Sequence, residues 1–154
     1  MTPSRTAPWN AVFRAAYSLI RAADPLLRRA WAAGGLGITT QLTVRGRISG
    51  RERSVLVGLI ELNGGWYVGH PNGEVKWTAN LRSAGRGCIA LRSDVQLDVT
   101  AEPLVDGSER DAVIRATARQ QPFPANLLYR AARRHILREG RYFRLDAICR
   151  TSPA

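Results

Sequence analysis

Turn residues cut the middle of the chain into short apolar stretches, and this spacing restricts the fold more than any other feature. Ile38 to Val44 leads into a turn carrying Gly46 and Gly50, and Ser54 to Leu62 leaves it. Asn63-Gly64-Gly65 then opens the stretch Trp66 to His70. Farther on, Ser93-Asp94 separates Gly87 to Arg92 from Val95 to Glu102. Glycine and asparagine adopt the left-handed backbone that tight hairpins need. In the last stretch Val95, Leu97 and Val99 alternate with Gln96, Asp98 and Thr100, the period of a half-buried strand. Connections this short join antiparallel neighbours, and no parallel βαβ unit or internal repeat is visible.

Helical spacing occupies the two ends. From Pro8 to Ala33, Trp9, Val12, Phe13, Ala16, Tyr17 and Ile20 recur on one face, and Leu26, Leu27 and Trp31 continue it. Asp24-Pro25 marks a kink or restart, and Gly34-Gly35 a stop. Lys76 to Ala84 reads as a short helix. Asp106 or Ser108 is the expected cap of a helix running to about Gln121. After a Pro-Phe-Pro break a further helix spans Ala125 to Glu139, and Arg141 to Ile148 makes a last strand. The expectation is an α+β chain with about six antiparallel strands curled into a small barrel and helices outside it.

The 154 residues suit one domain. Their 23 Lys+Arg against 12 Asp+Glu give +11, nearly all of it arginine, since Lys76 is the one lysine. Such a field attracts nucleic acid, anionic lipid or an anionic cofactor. The arginines match no nucleic-acid motif, so no nucleic-acid partner is expected. Cys88 and Cys149 lack metal-ligand spacing and read as buried free thiols. With no signal peptide and no apolar run long enough to span a bilayer, the expected location is cytoplasmic.

Two clusters carry chemistry. The first is the turn itself, with Arg45, Arg47, Arg51 and Arg53 around Gly46 and Gly50. Guanidinium groups bind phosphate oxygens in a planar, bidentate way, and glycine lets backbone N–H groups close on an anion. The second is Gly69 to Arg82, a Gly/Pro loop entering a short helix. Its first-turn amides favour an anion or carbonyl oxygens. Trp77 and Leu81 lie four apart, as core residues do, with Asn80 on nearly the same face. His70 reads as polar loop surface, an acid/base role being the alternative.

Together the sequences Gly46-Arg47-Ile48-Ser49-Gly50-Arg51-Glu52-Arg53 and Trp77-Thr78-Ala79-Asn80-Leu81-Arg82 closely resemble the deazaflavin-dependent nitroreductase and quinone reductase family. Its members are split β-barrel proteins that bind coenzyme F420 and are related to FMN-binding split barrels. The likeness covers Ile38 to Thr100 well and the rest more loosely. It implies an N-terminal amphipathic helical segment, 1–35, and a split-barrel deazaflavin-binding domain, 36–150. Arg47, Ser49, Gly50 and Arg53 would hold the phosphate and acidic tail of the cofactor. Ser54, Val55 and Val57 would lie along its ring by backbone contact, and Asn72, Gly73, Lys76, Trp77 and Asn80 would close the other side. The implied activity is hydride transfer from reduced F420 to a quinone-like or other conjugated hydrophobic acceptor. FMN binding, or carriage of a cofactor or tetrapyrrole without catalysis, are alternatives on the same fold.

The sequence departs from the family at three places. Ile48 stands where lysine is frequent, and Val55-Leu56 replaces Asn-Pro or Thr-Pro. The aromatic substrate pattern Y-P-x-Y-x-x-Y reads Phe123-Pro124-Ala125-Asn126-Leu127-Leu128-Tyr129 here, leaving Tyr129 as the candidate substrate-side proton donor. Reduction of nitroimidazoles is therefore not expected. The N-terminal helix, with Arg14, Arg21, Arg28 and Arg29 around its aromatic face, has two readings. It covers the barrel or substrate mouth, or it makes a peripheral contact with an anionic membrane on the inner face.

Overall fold

The computed structural model describes residues 7–34, 38–91 and 95–148. Two helices, α1 (Ala7–Ala22) and α2 (Asp24–Gly34), precede β1 (Thr39–Arg45), β2 (Glu52–Gly58), β3 (Ile60–Leu62) and β4 (Gly65–His70). Then follow α3 (Lys76–Ala84), β5 (Arg86–Leu91), β6 (Val95–Pro103), α4 (Ser108–Gln120), α5 (Ala125–Ala131), α6 (Arg133–Glu139) and β7 (Arg141–Ala147). The N-terminal helical pattern is split at Ala23, where the Asp24-Pro25 pair restarts the chain as expected.

All seven strands belong to one antiparallel sheet, ordered β2-β1-β5-β6-β7-β4-β3. Its two end strands, β2 and β3, are halves of one chain segment joined by Leu59. That segment gives its first half to β1 and its second to β4, so the sheet curls back on itself. This corrects the expected single strand Ser54 to Leu62 and raises the strand count from about six to seven. The corner lies between Leu59, whose N–H still donates to Ile38 O at 2.8 Å in the β1–β2 register, and Ile60, which opens the pairing with Tyr67 of β4.

Strand alternation then builds two cores on opposite faces of the sheet. Leu42, Val44, Val57, Leu59, Val68, Ile89, Val99, Phe143 and Leu145 fill the inside of the curl, where Leu81 of α3 joins them. Ile60, Tyr67 and Tyr142 point outward and meet Phe13 of α1, Val113 and Ile114 of α4, and Ile136 of α6. Tyr142 and Phe143 thus serve different cores although they are adjacent. Among the described residues no helix is long and apolar enough to cross a membrane.

Three further expectations change. The helix at Asp106 or Ser108 is capped by Gly107, with no side-chain cap bond, because the Asp106 carboxylate faces Arg110 at 3.4 Å instead. The stretch Ala125 to Glu139 is two helices that meet at Ala132, whose dihedrals (φ −86°, ψ 6°) depart from the helix although its N–H still donates to Leu128 O at 2.9 Å. Cys88 is only half-buried, its Sγ beside Gln96 Oε1. Cys149 lies outside the described residues.

Gly69 pairs with Tyr142 across β4 and β7, and the tyrosine ring lies flat over it. A Cβ at Gly69 would stand 2.1 Å from that ring. Gly69→Ala is expected to destabilise the fold by about 3 kcal/mol, as forced overpacking does. Urea denaturation of the variant beside the parent chain checks this.

Candidate functional site

The β1–β2 turn is closed by its own backbone. Gly46 N–H donates to Arg51 O at 2.8 Å and Gly50 N–H to Gly46 O at 2.9 Å. Gly50 sits at φ +66°, a left-handed conformation that glycine adopts without strain. Ser49 Oγ accepts from Arg51 N–H at 3.3 Å, and Thr43 and Ser54 join hydroxyls across the strands at 2.9 Å. The four arginines around this frame are exposed. Among the described residues Arg45, Arg47, Arg51 and Arg53 make no ion pair, and neither does Lys76. Ile48 at the tip is 86% exposed.

The two clusters read from the sequence meet here. Asn80 Oδ1, on α3, accepts from the Arg47 N–H at 3.1 Å and pins the turn to the helix. α3 is itself anchored at both ends. Thr78 Oγ1 accepts from Val75 N–H and donates to Val75 O, each at 2.9 Å. Gly85 closes the other end in the left-handed conformation, its N–H donating to Leu81 O at 2.8 Å. Trp77 is half-buried against the inner core and Lys76 is exposed. Arg82 pairs with Glu74 at 2.6 Å, fixing the loop before α3.

β2 is an end strand, so its second edge has no strand beside it. Ser54 O is engaged by Arg28 Nη2 of α2 at 3.1 Å, and Arg28 Nε is held by Asp24 at 2.6 Å. Val57 is buried in the inner core and Val55 packs against it, and the register turns the backbone of both toward β1, so that Ser54 and Leu56 present the free edge.

Asn72 and Tyr129 sit in a second group of polar side chains, under α1. Asn72 N–H donates to His70 Nδ1 at 3.2 Å, which places the His70 proton on Nε2, and Asn72 Oδ1 lies 2.8 Å from His135 Nε2. Tyr17 of α1 covers the His70 ring at 4.5 Å, and the Tyr17 and Tyr129 hydroxyls are 3.4 Å apart. His70 is therefore buried, contrary to its reading as loop surface, because α1 roofs the loop that carries it. Burial raises the Tyr129 phenol above its ordinary value, so it keeps its proton at neutral pH. Burial also lowers His135.

His135, Tyr17 and Arg28 carry no local motif, and only the helical register of Tyr17 with Phe13 marks it as inward-facing. Arg110 is likewise unmarked. It is buried and donates to Leu137 O and Gly140 O at 2.7 and 2.8 Å, capping the end of α6.

A curled antiparallel sheet closed by one bent strand, with a basic turn pinned to a short helix, defines a split β-barrel of the FMN-binding-like fold. No family model matches the chain, and no curated protein matches it. Among solved structures, an F420-H2 dependent reductase (FDR-A) superposes with a TM-score of 0.56 at 22% identity, covering 71% of this chain and 94% of that one. HutZ, the heme storage protein from Vibrio cholerae, gives 0.56 at 16% identity over 79% of this chain and 87% of that one. A putative pyridoxamine 5'-phosphate oxidase from Listeria innocua gives 0.52 at 10%, over 73% and 85%. At these identities the likeness is one of fold. Oxidoreductases and a heme store share it.

Burial lowers the His70 imidazole from 6.5 to about 4, against a smaller upward pull from its backbone hydrogen bond with Gly73. Between those values the unfolded chain binds the proton that the folded chain excludes. Stability from this group is complete above pH 6.5 and falls as the pH drops toward 4, by roughly 3 kcal/mol in all. His70→Gln should flatten that acid limb, read from urea midpoints between pH 7.5 and 4. Asn80→Ala should cost about 1 kcal/mol by releasing the Arg47 amide, measured in the same way at pH 7.

Proposed function

We propose that this protein binds a phosphorylated redox cofactor, reduced coenzyme F420, and transfers its hydride to a quinone-like or other conjugated hydrophobic acceptor. One observation carries the reading. A turn with four unpaired guanidinium groups is fixed by Asn80 against α3, next to a strand edge with no strand beside it. Four arginines that make no ion pair among the described residues suit a phosphate, and the surplus beyond one phosphate suits an acidic tail. The amides of Gly46, Arg47, Gly50 and Arg51 are already bonded, so the guanidinium groups carry the anion binding. The fold shared with an F420-H2 dependent reductase supports the same choice.

In this reading Arg47, Ser49, Gly50 and Arg53 receive the phosphate and tail. Ser54, Val55 and Val57 lie along the ring, with Ser54 at the free edge of β2 and the two valines backing it from the ladder. Gly73, Lys76, Trp77 and Asn80 close the other side, with Asn72 holding the loop through His135. When bound, the cofactor supplies a hydride. The protein contributes position, an apolar setting and a proton, for which Tyr129 is the donor. The reduced acceptor gains one hydride and one proton, and solvent restores the phenol.

The phosphate cradle would serve FMN as well, so the first experiment titrates both cofactors against the purified protein. Deazaflavin binding with weaker FMN binding is expected, and the reverse order would replace this reading with a flavin-binding one. Arg47→Ala with Arg53→Ala should weaken F420 affinity by about 3 kcal/mol, the scale of two charge-assisted contacts. Tyr129→Phe should lower kcat for a naphthoquinone far more than it changes cofactor affinity.

A further inference from the structure

Between Asp111 and Glu139 the chain carries Arg115, Arg119, Arg130, Arg133, Arg134 and Arg138 and no carboxylate. The last four lie on α5 and α6, whose inner side is apolar, with Ala132 and Ile136 buried in the outer core. Arg130, Arg133, Arg134 and Arg138 are exposed. Among the described residues these four make no ion pair, whereas Arg28, Arg82, Arg110 and Arg144 all face carboxylates. Arg134 and Arg138 stand four apart on one helix, a spacing at which like charges repel.

These side chains frame a space. Arg130 and Ala131 from α5, with Arg133, Arg134 and Leu137 from α6, line an open depression of about 580 Å³. Ala131 and Leu137 make its apolar wall. Leu127, one turn before Ala131 on the same face of α5, is 51% exposed and continues that wall. The frame is fixed from below. Buried Arg110 of α4 donates to Leu137 O and Gly140 O, and His135 Nε2 lies 2.8 Å from Asn72 Oδ1, which holds α6 to α4 and to the loop after β4. The cluster is separate from the arginine turn. That turn is pinned to α3, which sends Leu81 into the inner core, while α6 sends Ile136 into the outer one.

We infer that the junction of α5 and α6 is a second anion site, built for a phosphate monoester that carries an apolar group. A monoester offers close to two charges and three acceptor oxygens, enough to engage three guanidinium groups, where a carboxylate offers one charge. The depression is larger than a phosphate, and its Ala131 and Leu137 wall receives the hydrocarbon of the ester. Such an ester is either a soluble metabolite or the headgroup of a lipid, and the chemistry at the arginines is the same. The site does not depend on the proposed cofactor, whose phosphate is assigned to the turn.

The test uses the full chain in an Arg47→Ala, Arg53→Ala background, which removes the phosphate site assigned to the turn. Methyl phosphate and hexyl phosphate are titrated by calorimetry at constant ionic strength. Hexyl phosphate should bind several-fold more tightly than methyl phosphate. Adding Arg130→Gln and Arg134→Gln should weaken hexyl phosphate binding about tenfold, the loss of charge-assisted contacts. The thermal midpoint without ligand should equal or exceed that of the background, because repulsion is relieved. Sedimentation with phosphatidylcholine vesicles, with and without phosphatidic acid, then identifies the source. Retention that needs phosphatidic acid and both arginines marks a lipid headgroup, and hexyl phosphate binding without retention marks a soluble ester. No heat with hexyl phosphate, an affinity unchanged by the Arg130→Gln, Arg134→Gln pair, or sulfate binding as tightly as hexyl phosphate would each overturn the site. So would a single-stranded oligonucleotide that binds more tightly than either ester and is lost with the same pair, which would make the cluster a nucleic-acid surface.

Discussion

A single hydrogen bond, from the Arg47 amide to the Asn80 carboxamide, turns two distant sequence clusters into one surface. The turn supplies charge and the helix supplies a fixed reference. Without that link, four guanidinium groups on a two-strand tip would sample many arrangements, and the entropy of ordering them would fall on ligand binding. α3 can act as the reference because Leu81 is sunk in the inner core while Thr78 and Gly85 secure its ends. Positive charge is thus carried on a turn tied to an anchored helix. On another part of the surface Glu102, Glu109 and Asp146 all face Arg144.

The opposite face of the sheet is organised by rings instead of charges. Trp9, Phe13 and Tyr17 descend from α1 onto Tyr129, His135 and His70. Both histidines are held neutral by burial at ordinary pH, so this face offers hydrogen-bond donors and acceptors without net charge. Positive charge is thus gathered at the turn, while the face beneath α1 is aromatic and uncharged.

Much of this was legible beforehand. The hairpin turns and the alternation from Val95 onward named the strands, and α3 has the bounds that its Trp77/Leu81 spacing and Gly85 imply. The Arg-rich turn and the Asn80 helix were recognisable as partners through family resemblance, although nothing in either stretch announced the bond between them. What escaped depended on contacts between segments far apart in sequence. His70 was read as surface because its burial is conferred by a helix more than fifty residues earlier. The break at Ala132 has no glycine or proline to mark it, and Arg110 caps a helix whose end lies about thirty residues downstream. The missing cap at Asp106 follows from the same arginine, which draws that carboxylate away from the backbone.

The bent segment from Glu52 to Leu62 works like the overlap of a hoop, since both free ends of the sheet are the same piece of chain. Its length is consequently a shared dimension. One residue added at Leu59 would leave β2 in place against β1 but carry β3 out of step with β4, turning Ile60 from the outer core toward the inner one. The helices that rest on Ile60 and Tyr67 would lose their seat, while the arginine turn would keep its own. An insertion at the elbow therefore disturbs two pairings at once, where one at the hairpin tip would disturb a single turn.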